Sequence, residues 1–219
     1  MKLLLTSAGI TNKSLKKALK ELVGEKIKTV FIPTAANLET GDKDWLVKDF
    51  QLFHELGYLD IVDIAALPRE IWIKRLKKAN VIVFGGGDTS YLIKKVRESG
   101  LDKDLPSPLK TRVYVGISAG SMLASNKIWC SSEFIYGDEI GKAPKGLNYT
   151  NINIRPHLNS PHFPKVTEKN ISEISKKNPK EIIYALDDES GLKIIDGKIE
   201  VISEGKFKVF GITSTNYYI

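Results

Sequence analysis

The apolar run Val113-Tyr114-Val115-Gly116-Ile117 passes without a break into Ser118-Ala119-Gly120. It reads as a strand that enters Gly-x-Ser-x-Gly, the form of a nucleophile elbow. Such a turn holds a serine out at the end of a sheet, on a sharp step from strand to helix. The flanking Gly116 and Gly120 remove Cβ atoms that would clash with neighbouring backbone. The helix start behind Ser118 offers N–H groups that lack intrahelical partners and suit a developing oxyanion. The same five residues also describe a tight turn with a capping serine. The rest of the chain therefore has to supply a base, an orienting acid and a second oxyanion donor.

The elbow lies within an alternation of strands and helices. Lys2 to Ser7 reads as a strand, and Leu15, Leu19 and Leu22 stripe a helix over 13–23. Strands follow at Lys28–Ile32, Ile61–Ile64 and Val81–Phe84, with helices over 45–56, 68–79 and 91–98 between and after them. Val81-Ile82-Val83-Phe84 is apolar throughout, as a strand buried on both faces requires. After residue 125 the pattern loosens. Tyr149–Ile154 alternates like a strand, Pro164–Lys177 reads as a helix, and Ile182–Leu186 reads as a strand. Leu192–Ile202 reads as a β-hairpin turning at Asp196-Gly197. This order predicts one α/β domain over residues 1–219: a mostly parallel sheet, helices on both faces, and a C-terminal hairpin. Ligands of such sheets sit outside the carboxyl ends of the strands. Two glycine-rich turns lie there, Gly85-Gly86-Gly87 and the elbow.

Composition narrows the function classes. The chain of 219 residues carries 42% hydrophobic and 27% charged residues, ordinary for a globular protein. No apolar run approaches the ~20 residues of a membrane span, and Met1–Leu5 is too short for a signal segment. The single cysteine, Cys130, allows no internal disulfide and fits a reducing, cytoplasmic setting. The net charge of +7 is spread over lysines on helical faces, with no aromatic-interleaved basic stripe, which argues against nucleic acid. A monomer or a homodimer is expected.

A nucleophilic serine needs a base, and the chain has three histidines. His54 falls inside the 45–56 helix. His157 ends the block Asn153-Ile154-Arg155-Pro156-His157, where a strand delivers its last residue to the edge that carries Ser118. His162 follows in a proline-flanked turn. His157 is the expected base. Glu133, Asp138 and Glu139 are candidate acids between serine and histidine, and Asp187-Asp188-Glu189 forms a second acidic cluster at a strand end. The triglycine turn lacks the Lys-Ser/Thr tail of a P-loop. A glycine-rich turn before a helix can cradle phosphate, and it can also bring a backbone N–H beside Ser118 to complete an oxyanion hole.

With these residues in view, the chain resembles peptidase family S51, the α-aspartyl dipeptidases (dipeptidase E) and the related cyanophycinase. The likeness rests on Gly85-Gly86-Gly87-Asp88-Thr89, Gly116-Ile117-Ser118-Ala119-Gly120 and Asn153-Ile154-Arg155-Pro156-His157, at similar spacing over nearly the whole chain. It implies a fold like class I glutamine amidotransferases (flavodoxin-like) and a serine hydrolase of short peptides that needs no metal or cofactor. Carried over by position, Ser118 is the nucleophile, His157 the base and Asp138 the nearest match to the acid, with Glu139 and Glu133 as alternatives. The N–H groups of Gly87 and Ala119 form the oxyanion hole, and Gly86 lines the substrate. One departure stands out. The dipeptidases carry an arginine downstream of the histidine that pairs with an aspartate side chain. Pro164–Lys169 contains none, leaving Lys165, Lys169 or Arg155 as carboxylate partners. An esterase or amidase using the same groups, or a catalytically silent binding protein, is the alternative reading.

Overall fold

The computed structural model describes residues 1–128 and 144–211. In chain order, β1 (Lys2–Thr6) leads to α1 (Lys13–Val23), β2 (Ile27–Ile32), α2 (Asp44–Leu56) and β3 (Gly57–Ile61). Then come α3 (Arg69–Leu76), β4 (Val81–Phe84), α4 (Thr89–Glu98), α5 (Leu101–Asp104), β5 (Val113–Ile117) and α6 (Ala119–Leu123). The rest is β6 (Asn153–Arg155), α7 (Glu168–Lys177), β7 (Ile183–Leu186), β8 (Ser190–Ile195), β9 (Lys198–Ser203) and β10 (Phe207–Phe210).

Seven strands form one sheet in the order β3-β2-β4-β5-β1-β8-β9. The first five run parallel, as strand–helix alternation requires. The β8–β9 hairpin adds an antiparallel edge beside β1, turning at Asp196 and Gly197, both at positive φ. The central strands β4 and β5 are buried at every position, which explains their unbroken apolar runs. One face packs Leu3, Leu5, Ile82, Phe84 and Tyr114 against α3, α4 and α6. The other packs Leu4, Phe31, Val83 and Val115 against α1 and α2, with Phe50 and Phe53 meeting the Phe31 ring edge-on at 4.9 and 5.7 Å.

A second sheet, β10-β7-β6, was not foreseen. Its strands are three or four residues long, too short to print a period. Several boundaries also shift, among them that of the helix expected from Pro164, which starts at Glu168. The third strand begins at Gly57 and ends at Ile61 instead of spanning 61–64. It starts at the glycine because any Cβ there would stand 2.2 Å from the Ile27 carbonyl oxygen of the neighbouring strand. The 149–154 strand contracts to Asn153–Arg155, so His157 sits two residues beyond it.

The order β4-β5-β1 sets the turns after these three strands side by side. The turn after β5 carries Ser118, with Gly85–Gly87 on one side and Ser7–Gly9 on the other. The parallel register that pairs Thr6 with Ile117 brings Ser7 level with Ser118.

Candidate active site

Ser118 lies between β5 and α6 at φ 48°, ψ −106°. Positive φ is uncommon for a residue with a Cβ and persists only where the surroundings enforce it. Here they do. A Cβ on Gly120 would stand 2.0 Å from the Phe84 carbonyl oxygen, and one on Gly116 2.6 Å from the Gly120 oxygen. The Ser118 N–H donates to Thr6 O at 3.0 Å, and the Tyr114 hydroxyl donates to Gly120 O at 2.7 Å. Burial pushes the Tyr114 phenol well up, with Tyr149 adding to the effect, so it stays a donor. Gly120→Ala is accordingly expected to destabilise the protein by more than about 3 kcal/mol, since backbone rather than a flexible side chain occupies the space. A thermal melt within a few degrees of wild type would contradict this.

Ser118 Oγ lies 2.9 Å from His157 Nε2. On the far side of the ring, Nδ1 lies 2.6 Å from Asp188 Oδ1. The imidazole stacks on Phe163, with centroids 4.1 Å apart and planes 9° from parallel. His157 itself is at φ 65°. Its backbone N–H donates to Ser7 Oγ at 2.8 Å, and that hydroxyl donates in turn to Asp188 Oδ1 at 3.2 Å. Ser7 thus ties backbone and carboxylate into one unit from the end of β1.

Asp188 belongs to the acidic cluster that follows β7. Its neighbours are engaged elsewhere: Asp187 accepts from the Ser190 hydroxyl at 2.6 Å and the Glu189 N–H at 3.1 Å, and Glu189 accepts from the Asn12 side chain at 3.1 Å. Burial raises the Asp188 carboxyl. The hydrogen bond and charge of His157, with help from Ser7, outweigh that and hold it below the ordinary carboxylate range. The expected acids Asp138, Glu139 and Glu133 lie outside the described residues. The carboxylate at the histidine is Asp188, and it follows the histidine in the chain instead of preceding it. Ser7 was missed altogether. The signal that could have found both is positional: each stands at a strand end bordering the serine or histidine strand.

The backbone N–H groups of Gly87 and Ala119 have no hydrogen-bond partner among the described residues. Gly87 takes φ 124°, and a Cβ there would stand 2.4 Å from the Ala35 carbonyl oxygen. A Cβ on Gly86 would stand 3.5 Å from both Ser118 Cβ and the Trp45 indole, so α2 borders the serine as well. Arg155 is 2% exposed, with Nη1 4.0 Å from Met122 Sδ, whereas Lys165, His162 and His54 are at the surface. No group of His, Cys, Asp and Glu among the described residues could hold a metal ion, and no helix among them is long and apolar enough to cross a membrane.

The arrangement is a hydroxyl, an imidazole and a carboxylate in series, beside two free N–H groups. It is suited to acyl transfer from a carbonyl substrate. The model of peptidase family S51 matches residues 3–202. The chain is 28% identical over 209 residues to Peptidase E of Nostoc sp., covering 91% of this chain and 84% of that protein. It is 25% identical over 219 residues to Peptidase E of Escherichia coli, covering 97% and 91%. Among solved structures, a putative peptidase E protein from Listeria monocytogenes superposes with a TM-score of 0.75 at 24% identity, over 93% of this chain and 98% of that one. A peptidase from an acI-B1 actinobacterium gives 0.71 at 23% identity, over 96% and 91%. Those two likenesses establish the fold; with the match of the family model over nearly the whole length, the chain belongs to peptidase family S51, the serine peptidases.

Proposed function

We propose that this protein hydrolyses short peptides, in the manner of a dipeptidase, through Ser118, His157 and Asp188 and by way of an acyl-enzyme. The observation that carries the reading is the series of two hydrogen bonds, 2.9 Å from Ser118 to His157 and 2.6 Å from His157 to Asp188. Ser118 Oγ attacks the scissile carbonyl carbon, and its proton passes to His157 Nε2. The N–H groups of Gly87 and Ala119 receive the negative charge that forms on the carbonyl oxygen. His157 then gives the proton to the leaving amine as the C–N bond breaks, and the acyl group stays on Ser118. Water, deprotonated by His157, releases the acid in the second half. Asp188 takes the role of orienting acid in place of Asp138.

Preference for an N-terminal aspartate is the finer part of the reading. Of the cations that could meet an aspartate side chain, Arg155 is buried and Lys165 is exposed on the turn downstream of the base. A lysine lacks the bidentate fork of an arginine, so the substrate range is broader than Asp–X.

A fluorophosphonate probe read by intact mass tests the class. Wild type is expected to take up one equivalent and Ser118→Ala none. A folded wild type that neither labels nor cleaves a dipeptide panel beginning with Asp-Leu would overturn the proposal.

A further inference from the structure

Helix α2 presents two side chains to the catalytic edge that the reaction above does not use. Trp45 and Asp49 are four residues apart and so share one face of the helix. Trp45 reaches the triglycine turn beside Ser118 and is 38% exposed. Asp49 lies one turn further on and is 8% exposed. Its Oδ1 faces the turn after β1, where a Cβ on Gly9 would stand only 2.6 Å away and where the Ile117 side chain also borders. Gly9 takes φ 97°, and its N–H donates to Thr6 Oγ1, so the turn itself does not pair with the carboxylate. Asp49 has no hydrogen bond or ion pair among the described residues. A nearly buried carboxylate whose oxygens meet no protein partner is costly unless water or a ligand supplies one.

We propose that Asp49, with the Trp45 indole beside it, receives a cationic nitrogen carried by the acyl half of the substrate. This rests on the peptidase reading above and adds the chemistry that selects the substrate. An indole face and a carboxylate together suit an ammonium group, the first by cation–π attraction and the second by charge. Burial alone raises the empty carboxyl to about 7, the behaviour of a group that lacks its counter-charge. Two sources of the nitrogen fit: the N-terminal ammonium of a dipeptide, and a basic side chain on its first residue.

Four peptides separate these sources: Leu-Leu, N-acetyl-Leu-Leu, Lys-Leu and N-acetyl-Lys-Leu. The kcat/KM of each is measured for wild type and Asp49→Asn. If the N-terminal ammonium is the ligand, the wild-type preference for Leu-Leu over its acetylated form falls about 10- to 100-fold in the variant. If the side chain is the ligand, the preference for N-acetyl-Lys-Leu over N-acetyl-Leu-Leu falls instead. Both ratios unchanged in the variant, or no wild-type preference for either cation, would overturn the assignment of Asp49. Labelling of Ser118 in both proteins keeps the two levels apart. A labelled wild type that cleaves none of the four overturns this inference, and the peptidase reading stands if Asp-Leu is still cleaved. Normal cleavage with unaltered ratios removes the inference alone.

Discussion

Asp188→Asn is expected to lower kcat by about 10⁴-fold with little change in KM. The reason is a tautomer. Asp188 accepts at Nδ1 of His157, 2.6 Å away, so the proton of the neutral ring sits on Nδ1 and Nε2 is free to accept from Ser118. An asparagine amide offers an N–H at the same place. The ring then carries its proton on Nε2, which cannot take the proton of Ser118. The variant keeps the size of the side chain, so a thermal melt near wild type should accompany the loss of rate. Asp138→Asn, Glu139→Gln and Glu133→Gln are each expected to keep kcat within the wild-type order of magnitude. A kcat of Asp188→Asn within tenfold of wild type, or a collapse on Asp138→Asn, would reassign the acid.

The second large effect is on stability. The Asp49 carboxyl is raised by burial from 3.8 to about 7 in the folded protein. Between these values the folded state holds the proton and the unfolded state has released it. Stability therefore falls as pH rises from about 4 to about 7, and the full cost is present above that. Three pH units correspond to roughly 4 kcal/mol, an upper figure because a nearly buried site relaxes and admits water. Asp49→Asn removes the titration. Its Tm relative to wild type is expected to rise between pH 5 and pH 8 by about 5–10 °C, since about two of the three units fall in that window, at the 2–4 °C per kcal/mol usual for a chain of this size. A difference in Tm that does not vary with pH would show that the carboxylate is solvated or paired in the folded state. A residue that destabilises its own fold at neutral pH is the kind of feature kept for binding, at a stability cost.

The parts of the molecule that were legible in the sequence are those written in local terms. Val81–Phe84 and Val113–Ile117 announce central parallel strands because both faces are buried, and Leu15, Leu19 and Leu22 announce α1 by their period. Ser118 and its glycines are legible for the same reason: the turn is specified within five residues. His157 could be placed because few histidines compete for the role. Asp188 could not be singled out. Three adjacent acids look alike in a sequence, and only the pairing of β6 with β7 and the turn chemistry of Asp187 decide which one faces the imidazole. Ser7 was invisible because its part depends on β1 lying next to β5, which is a matter of strand order. Strand β3 was displaced because an edge strand, half exposed, carries a mixed pattern in Tyr58, Leu59 and Asp60. Asp49 carries no signal of its own in the sequence: only the Gly9 turn packed against it sets it apart from the other charges of α2.

Asp188, the orienting acid of the proposed triad, stands on the link between the two sheets, in the turn from β7 to β8. Its side-chain partners come from the end of β1 (Ser7) and the segment beyond β6 (His157), and His157 in turn meets Ser118 in the turn after β5. During synthesis on the ribosome, a nascent chain that has already emerged through Ser118, or even through His157, still lacks the group that poises the imidazole. On the proposed reading, the Ser118 hydroxyl is poised only once the chain has been made past Asp188 and the turn after β7 has closed on the imidazole.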